Sequence, residues 1–172
     1  MSVLVVLAVI GIVVVVIGRQ LAGEPLRGKR VLLLPAILAV VGVYQLSGHG
    51  EHPTASDIGL LVAGAVVAAG IGAGQGSVMR LENRGGALWG QLPVIGLWLW
   101  GALIASRVLT TLVASELHAH VAASSAAILL MLGVNRLGQA AVITRRALSS
   151  DVPFAPEKDG KVFMGNRFGR QN

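Results

Sequence analysis

Cysteine is absent from the chain, which excludes disulfides, thiolate metal sites and a thiol–disulfide relay, so a redox role would need a bound cofactor or a partner. Charge is scarce too. Only 13% of the residues are Asp, Glu, Lys or Arg, against about 25% in an ordinary soluble domain. Stretches such as Val3 to Gly18 and Ile58 to Gly74 carry no charge at all. With 54% apolar residues and a mean hydropathy of +0.74, there is too little polar surface to solvate a globule. These values exclude a soluble enzyme, a nucleic-acid-binding domain and a disordered regulator, and they point to an all-α polytopic membrane bundle.

Acidic residues are missing from every apolar run: Glu24, Glu51, Asp57, Glu82 and Glu116 lie in loops or at helix ends, and the other acids lie in the C-terminal tail. A proton- or sodium-coupled carrier usually needs a buried carboxylate, so secondary transport is disfavoured. No Walker A phosphate loop occurs, and neither Ser47 nor Ser115 sits in anything like a nucleophile elbow. No catalytic residue is therefore assigned.

What the chain has in quantity is long hydrophobic runs. A helix rises about 1.5 Å per residue and the hydrocarbon core is about 30 Å thick, so a span takes roughly 20 apolar residues. Five segments qualify: Ser2 to Gly18, Val31 to Leu46, Ile58 to Val78, Leu88 to Leu112 and Val121 to Ile143. The second is short, with Tyr44 expected as an outer interfacial anchor and Pro35 in its first turn. The first fits a signal peptide poorly, because it lacks a basic leading region and Arg19 follows it without a small-residue cleavage site.

The 14 Lys and Arg against 8 acids give a net charge of +6, and in a membrane protein such an excess records orientation. Arg19, Arg27, Lys29 and Arg30 lie in the first loop, Arg80 and Arg84 in the third, and Arg145, Arg146, Lys158, Lys161, Arg167 and Arg170 after the last span. The second and fourth loops have no Lys or Arg. The positive-inside rule then places the N-terminus outside and the C-terminus in the cytoplasm. The tail, residues 147–172, reads as irregular, either solvated or docked on the membrane through Phe154, Phe163 and Phe168.

Within the spans, Gly64, Ala68, Gly72 and Gly76 recur every four residues and form one small-residue helix face, suited to close packing within the bundle or between copies. Arg107 and Arg136 sit inside apolar runs, where snorkelling or binding of lipid phosphate or a partner carboxylate would explain them. Arg80 and Arg84, in a short loop, are candidates for anionic lipid headgroups. All four histidines, His49, His52, His118 and His120, fall in the two outer loops near Glu51, Asp57 and Glu116. Imidazoles with a carboxylate could hold a metal or ligate haem, although H-x-x-H and H-x-H in loops equally suit plain solvated residues.

The order of these features resembles the CcdC-like family of small bacterial integral membrane proteins. The resemblance rests on Arg30-Val-Leu-Leu-Leu-Pro35 with Gly42 beyond it, the glycine-rich third span ending in Arg80-Leu-Glu-Asn-Arg-Gly-Gly86, and the spans carrying Arg107 and Arg136. It covers roughly residues 27–140 and implies a divergent member, since the second span lacks the methionines expected of close relatives. The family name implies a link to cytochrome c biogenesis in the bacterial cytoplasmic membrane. With no cysteine, the implied role is accessory: a non-catalytic subunit working through helix contacts with another membrane protein or with further copies of itself.

Overall fold

The computed structural model describes residue 18 and residues 21–48, 53–149 and 154–156. The expected first span, His49 and His52, and most of the tail lie outside the described residues. Strand β1 (Glu24–Pro25) leads into helix α1 (Gly28–Gly48), then α2 (Ala55–Val78), the strands β2 (Arg80–Arg84) and β3 (Ala87–Gln91), a 3-10 turn at Val94–Gly96, and α3 (Leu97–Glu116). A single turn, α4 (His120–Ala123), precedes the last helix, α5 (Ser125–Ser149). Four helices, counting the 3-10 turn with α3, are long and apolar enough to cross a membrane.

Helix α5 is the central element. A Cβ added at Gly42 of α1 would meet Leu130, and one at Gly133 would meet Ala39, so α1 and α5 run antiparallel at near backbone contact. Gly64 lies on Met131 and Gly76 on the Gln139 carbonyl, so α2 runs parallel to α5. Gly74 faces Leu99, while Leu60 and Leu61 pack against the buried Ala114, which sets α3 antiparallel to α2. The periodic face Gly64, Ala68, Gly72 and Gly76 is therefore turned toward α5, where Gly72 touches Asn135. Glycines outside that repeat, Gly42, Gly133 and Gly138, make equally close contacts from the other partners. Small residues at these positions are what let the helix backbones approach so closely.

These directions bring the start of α1, the end of α2, the start of α3 and the end of α5 to one end of the bundle. A three-stranded antiparallel sheet of order β1-β3-β2 caps that end. The sheet departs from the purely helical expectation, and the fourth apolar segment begins as β3 instead of as a helix at Leu88. The cause is local: Gly85 and Gly86, with φ of 62° and 79°, make the two-residue turn that pairs Arg84 with Ala87. Asn83 Oδ1 accepts the Gly86 N–H at 3.0 Å and closes the turn.

Two further boundaries differ from expectation. Helix α1 starts at Gly28, so Pro35 is interior and has no N–H for the Val31 carbonyl. The fifth apolar segment is interrupted at Ser124, whose backbone is extended (ψ 161°) and whose Oγ accepts the Ala127 N–H at 3.3 Å. Serine there caps α5 and ends the continuous helix. Phe154, expected in a tail either solvated or docked on the membrane, is instead among the most buried side chains, beside Leu26, Met79, Leu88, Ile143 and Ala147 under the sheet.

The outward faces remain apolar. Tyr44 and Trp98 are 77% and 81% exposed and stand at opposite ends of the bundle.

Gly72→Ala should lower stability by about 1–3 kcal/mol, because its Cβ would press on the Asn135 carbonyl. Gly70→Ala, with open space around the new Cβ, should be neutral or stabilising by up to about 1 kcal/mol. Thermal unfolding of both variants in detergent checks the pair.

Candidate functional site

At the end of the bundle away from the sheet, the Thr54-Ala-Ser-Asp57 segment opens α2 with a capping box. Thr54 Oγ1 accepts the Asp57 N–H at 3.1 Å, while Asp57 Oδ2 accepts the Thr54 N–H at 3.0 Å and its hydroxyl at 2.7 Å. The second carboxylate oxygen, Oδ1, accepts the Ala122 N–H at 2.9 Å, so one buried acid ties α2 to α4. Arg107 reaches the same turn from α3, donating from Nη1 to the Ala122 carbonyl at 3.0 Å and from Nη2 to the Ser124 carbonyl at 3.1 Å. The Ser124 break leaves the Ala122 carbonyl without a helical donor, which the guanidinium replaces, while the Ser124 carbonyl also accepts the Ile128 N–H at 3.4 Å. Asp57, expected beside the outer histidines, is thus withdrawn into a backbone clamp, and Arg107, expected to reach headgroups or a partner, bonds protein carbonyls.

His118 and His120 are exposed. His118 adopts φ of 53°, its N–H bonds Ser115 O at 3.3 Å, and the Ala119 N–H bonds Ala114 O at 2.8 Å. That is the two-bond stop of a helix whose left-handed residue is usually glycine. Among the described residues no group of three His, Asp or Glu is placed to hold a metal, and His49 and His52 lie outside them.

At the sheet-capped end stand all the described Lys and Arg except Arg107 and Arg136: Arg27, Lys29, Arg30, Arg80, Arg84, Arg145 and Arg146. They differ in what they do. Arg84 pairs with Glu82 at 2.8 Å and lies 5.3 Å from the Trp89 ring, while Arg80 is exposed at the edge of the sheet. Arg146 Nη1 donates to the carbonyls of Gly76, Ser77 and Met79 at 2.7, 3.0 and 2.7 Å. Helix α2 has no basic residue in its own last turn, so α5 provides the cation for its C-terminus. Nothing in the charge pattern distinguished Arg146 from its neighbours; only the parallel packing of α2 and α5 brings it there.

Between α1, α5 and the underside of the sheet lies a cavity of about 300 Å³, the lower end of the usual range for a ligand pocket. Its polar lining is Glu24, Arg30, Arg136 and Gln139; its apolar lining includes Val31, Leu34, Pro35 and Leu38 of α1. Arg136 Nη1 donates to Gln139 Oε1 at 2.8 Å, and its guanidinium carbon lies 5.0 Å from the Trp100 ring of α3. Stacking and a hydrogen bond therefore hold the deepest cation of the bundle in a set orientation. Arg30, one turn into α1, joins it here, while Arg80 and Arg84 line other surfaces. The sequence pattern singled out Arg136 but not Arg30 or Gln139, because the pairing of α1 with α5 is what gathers them.

No family model, curated protein or solved structure matches the chain.

Asp57→Ala should cost about 2–3 kcal/mol, since it leaves the buried Ala122 N–H and the Thr54 donors without an acceptor. Adding Thr54→Ala to that variant should cost little more, because the two residues share one network; a double-mutant cycle of unfolding free energies measures the coupling. His118→Gly should raise stability by up to about 1 kcal/mol by relieving the left-handed backbone. A fall in the unfolding midpoint of that variant would show that the imidazole itself matters.

Proposed function

We propose that the chain is an integral protein of the bacterial cytoplasmic membrane, N-terminus outside and sheet-capped end in the cytoplasm, serving as a non-catalytic accessory or assembly subunit. The observation carrying this reading is the division of labour between inner and outer faces. Polar side chains turned into the bundle bond main-chain groups of another helix: Asp57, Arg107 and Arg146 at helix ends or breaks, and Asn135 at the Ala68 carbonyl inside α2. The outer faces are left apolar, above all on α3, which exposes Trp98, Ile104, Val108, Leu109 and Leu112. The hydroxyls of Ser106, Thr110 and Thr111 bond carbonyls of α3 itself, so the helix carries no unmet hydroxyl donor toward a neighbour.

Such a helix, leaning on α2 along one side, is suited to seat a second membrane protein. The clustered Lys and Arg at the sheet-capped end support the cytoplasmic assignment of that end. The resemblance to CcdC-like proteins makes cytochrome c biogenesis the first machinery to examine for a partner.

Native mass spectrometry of the protein extracted gently from its own membrane tests the reading. A complex of fixed stoichiometry, heavier than the 17.7 kDa chain and joined by photo-crosslinks from Leu109, is expected. A bare monomer throughout would defeat it. A monomer carrying a metal-sized or haem-sized mass would replace it with ligand binding through His49, His52, His118 and His120.

A further inference from the structure

We infer that the cavity beneath the sheet is a binding site for one anionic lipid of the adjoining leaflet, with its phosphodiester between Arg30 and Arg136 and its upper chain against Leu34 and Leu38. The site requires membrane residence but is independent of the accessory-subunit reading.

The lining is graded along α1. Arg30 is the third residue of the helix and Leu38 lies eight residues further, roughly 12 Å deeper at 1.5 Å per residue. On the α1 side a polar mouth above an apolar wall suits a headgroup followed by the first part of an acyl chain, while Arg136, opposite Ala36 of α1, bonds Gln139 one turn nearer the mouth. Leu34 lines the cavity and is also 48% exposed on the outer face of α1, so the wall opens sideways toward the bilayer. A soluble ligand would have no use for that opening.

Charge selects the headgroup. Two arginines against Glu24 leave the lining at a formal +1, which suits a singly charged phosphodiester better than a zwitterion. Arg136 is already oriented by Gln139 and Trp100, so little rotamer freedom is lost when it binds an oxygen. Basic pockets between membrane helices on the cytoplasmic side are the kind of site that holds anionic headgroups. The hairpin arginines are weaker candidates, because Arg84 is paired with Glu82 and packed on Trp89.

The full chain, purified in a neutral mild detergent, would be titrated in native mass spectrometry with phosphatidylglycerol, phosphatidylcholine or inorganic phosphate. One phosphatidylglycerol per chain is expected, bound at least about tenfold more tightly than phosphatidylcholine, the scale of one charge-assisted hydrogen bond. Arg136→Gln and Arg30→Gln should each weaken it about tenfold, while Arg84→Gln should leave it unchanged. If Arg136→Gln fails to fold, Arg30→Gln at the exposed mouth decides the matter alone. Equal affinity for the two lipids, or unchanged binding in the arginine variants, would overturn the assignment. So would inorganic phosphate that binds alone and displaces the lipid, since the site would then serve a soluble anion.

Discussion

A main-chain N–H or C=O cut off from water must find a partner inside the protein, and the ends and breaks of the helices are where that demand is hardest to meet. In this chain the demand is met by side chains borrowed from neighbouring elements. Asp57 of α2 accepts from α4, Arg107 of α3 donates to the carbonyls around the Ser124 break, and Arg146 of α5 closes the C-terminus of α2. Each contact satisfies backbone and joins two helices at once. Few charges are present inside the bundle, and three of them serve this purpose.

Close approach of the helices makes those contacts possible. Gly42, Gly72, Gly76, Gly133 and Gly138 allow α1 and α2 to lie against opposite sides of α5, near enough that a methyl group would strike backbone or Cβ atoms. Asn135 can then reach the Ala68 carbonyl at 3.0 Å, and Arg146 can span to the end of α2. The same proximity shapes the cavity. Space remains between α1, α5 and the underside of the sheet, lined by Pro35 together with Arg30, Arg136 and Gln139.

Much of the helical part was legible in the residue order. Apolar runs of the right length located four helices that recur in the structure, and the residues Gly64, Ala68, Gly72 and Gly76, spaced four apart, lie on the face of α2 that meets α5. The hairpin, absent from the helical expectation, left one signal in Gly85-Gly86 between Arg84 and Ala87, but the apolar Leu88 and Trp89 of β3 resemble the opening of a span when only hydrophobicity is weighed. The Ser124 break was weakly signalled by one capping residue within an apolar run. Phe154 could not be placed from composition, because burial depended on a pocket formed by Leu26, Leu88 and Ile143, which are distant in sequence.

The sequence by itself determined that the chain is apolar, helical and asymmetric in charge, because these properties follow from composition and from spacing along a single helix. Tertiary structure decided which charged residues act as caps and which face a cavity. Arg107, Arg136 and Arg146 all follow apolar helix segments, yet one clamps a helix break, one is stacked over Trp100 and one holds three carbonyls of α2. The physical reason is that a guanidinium takes its role from the acceptors within its reach, and those acceptors are set by the direction and register of neighbouring helices.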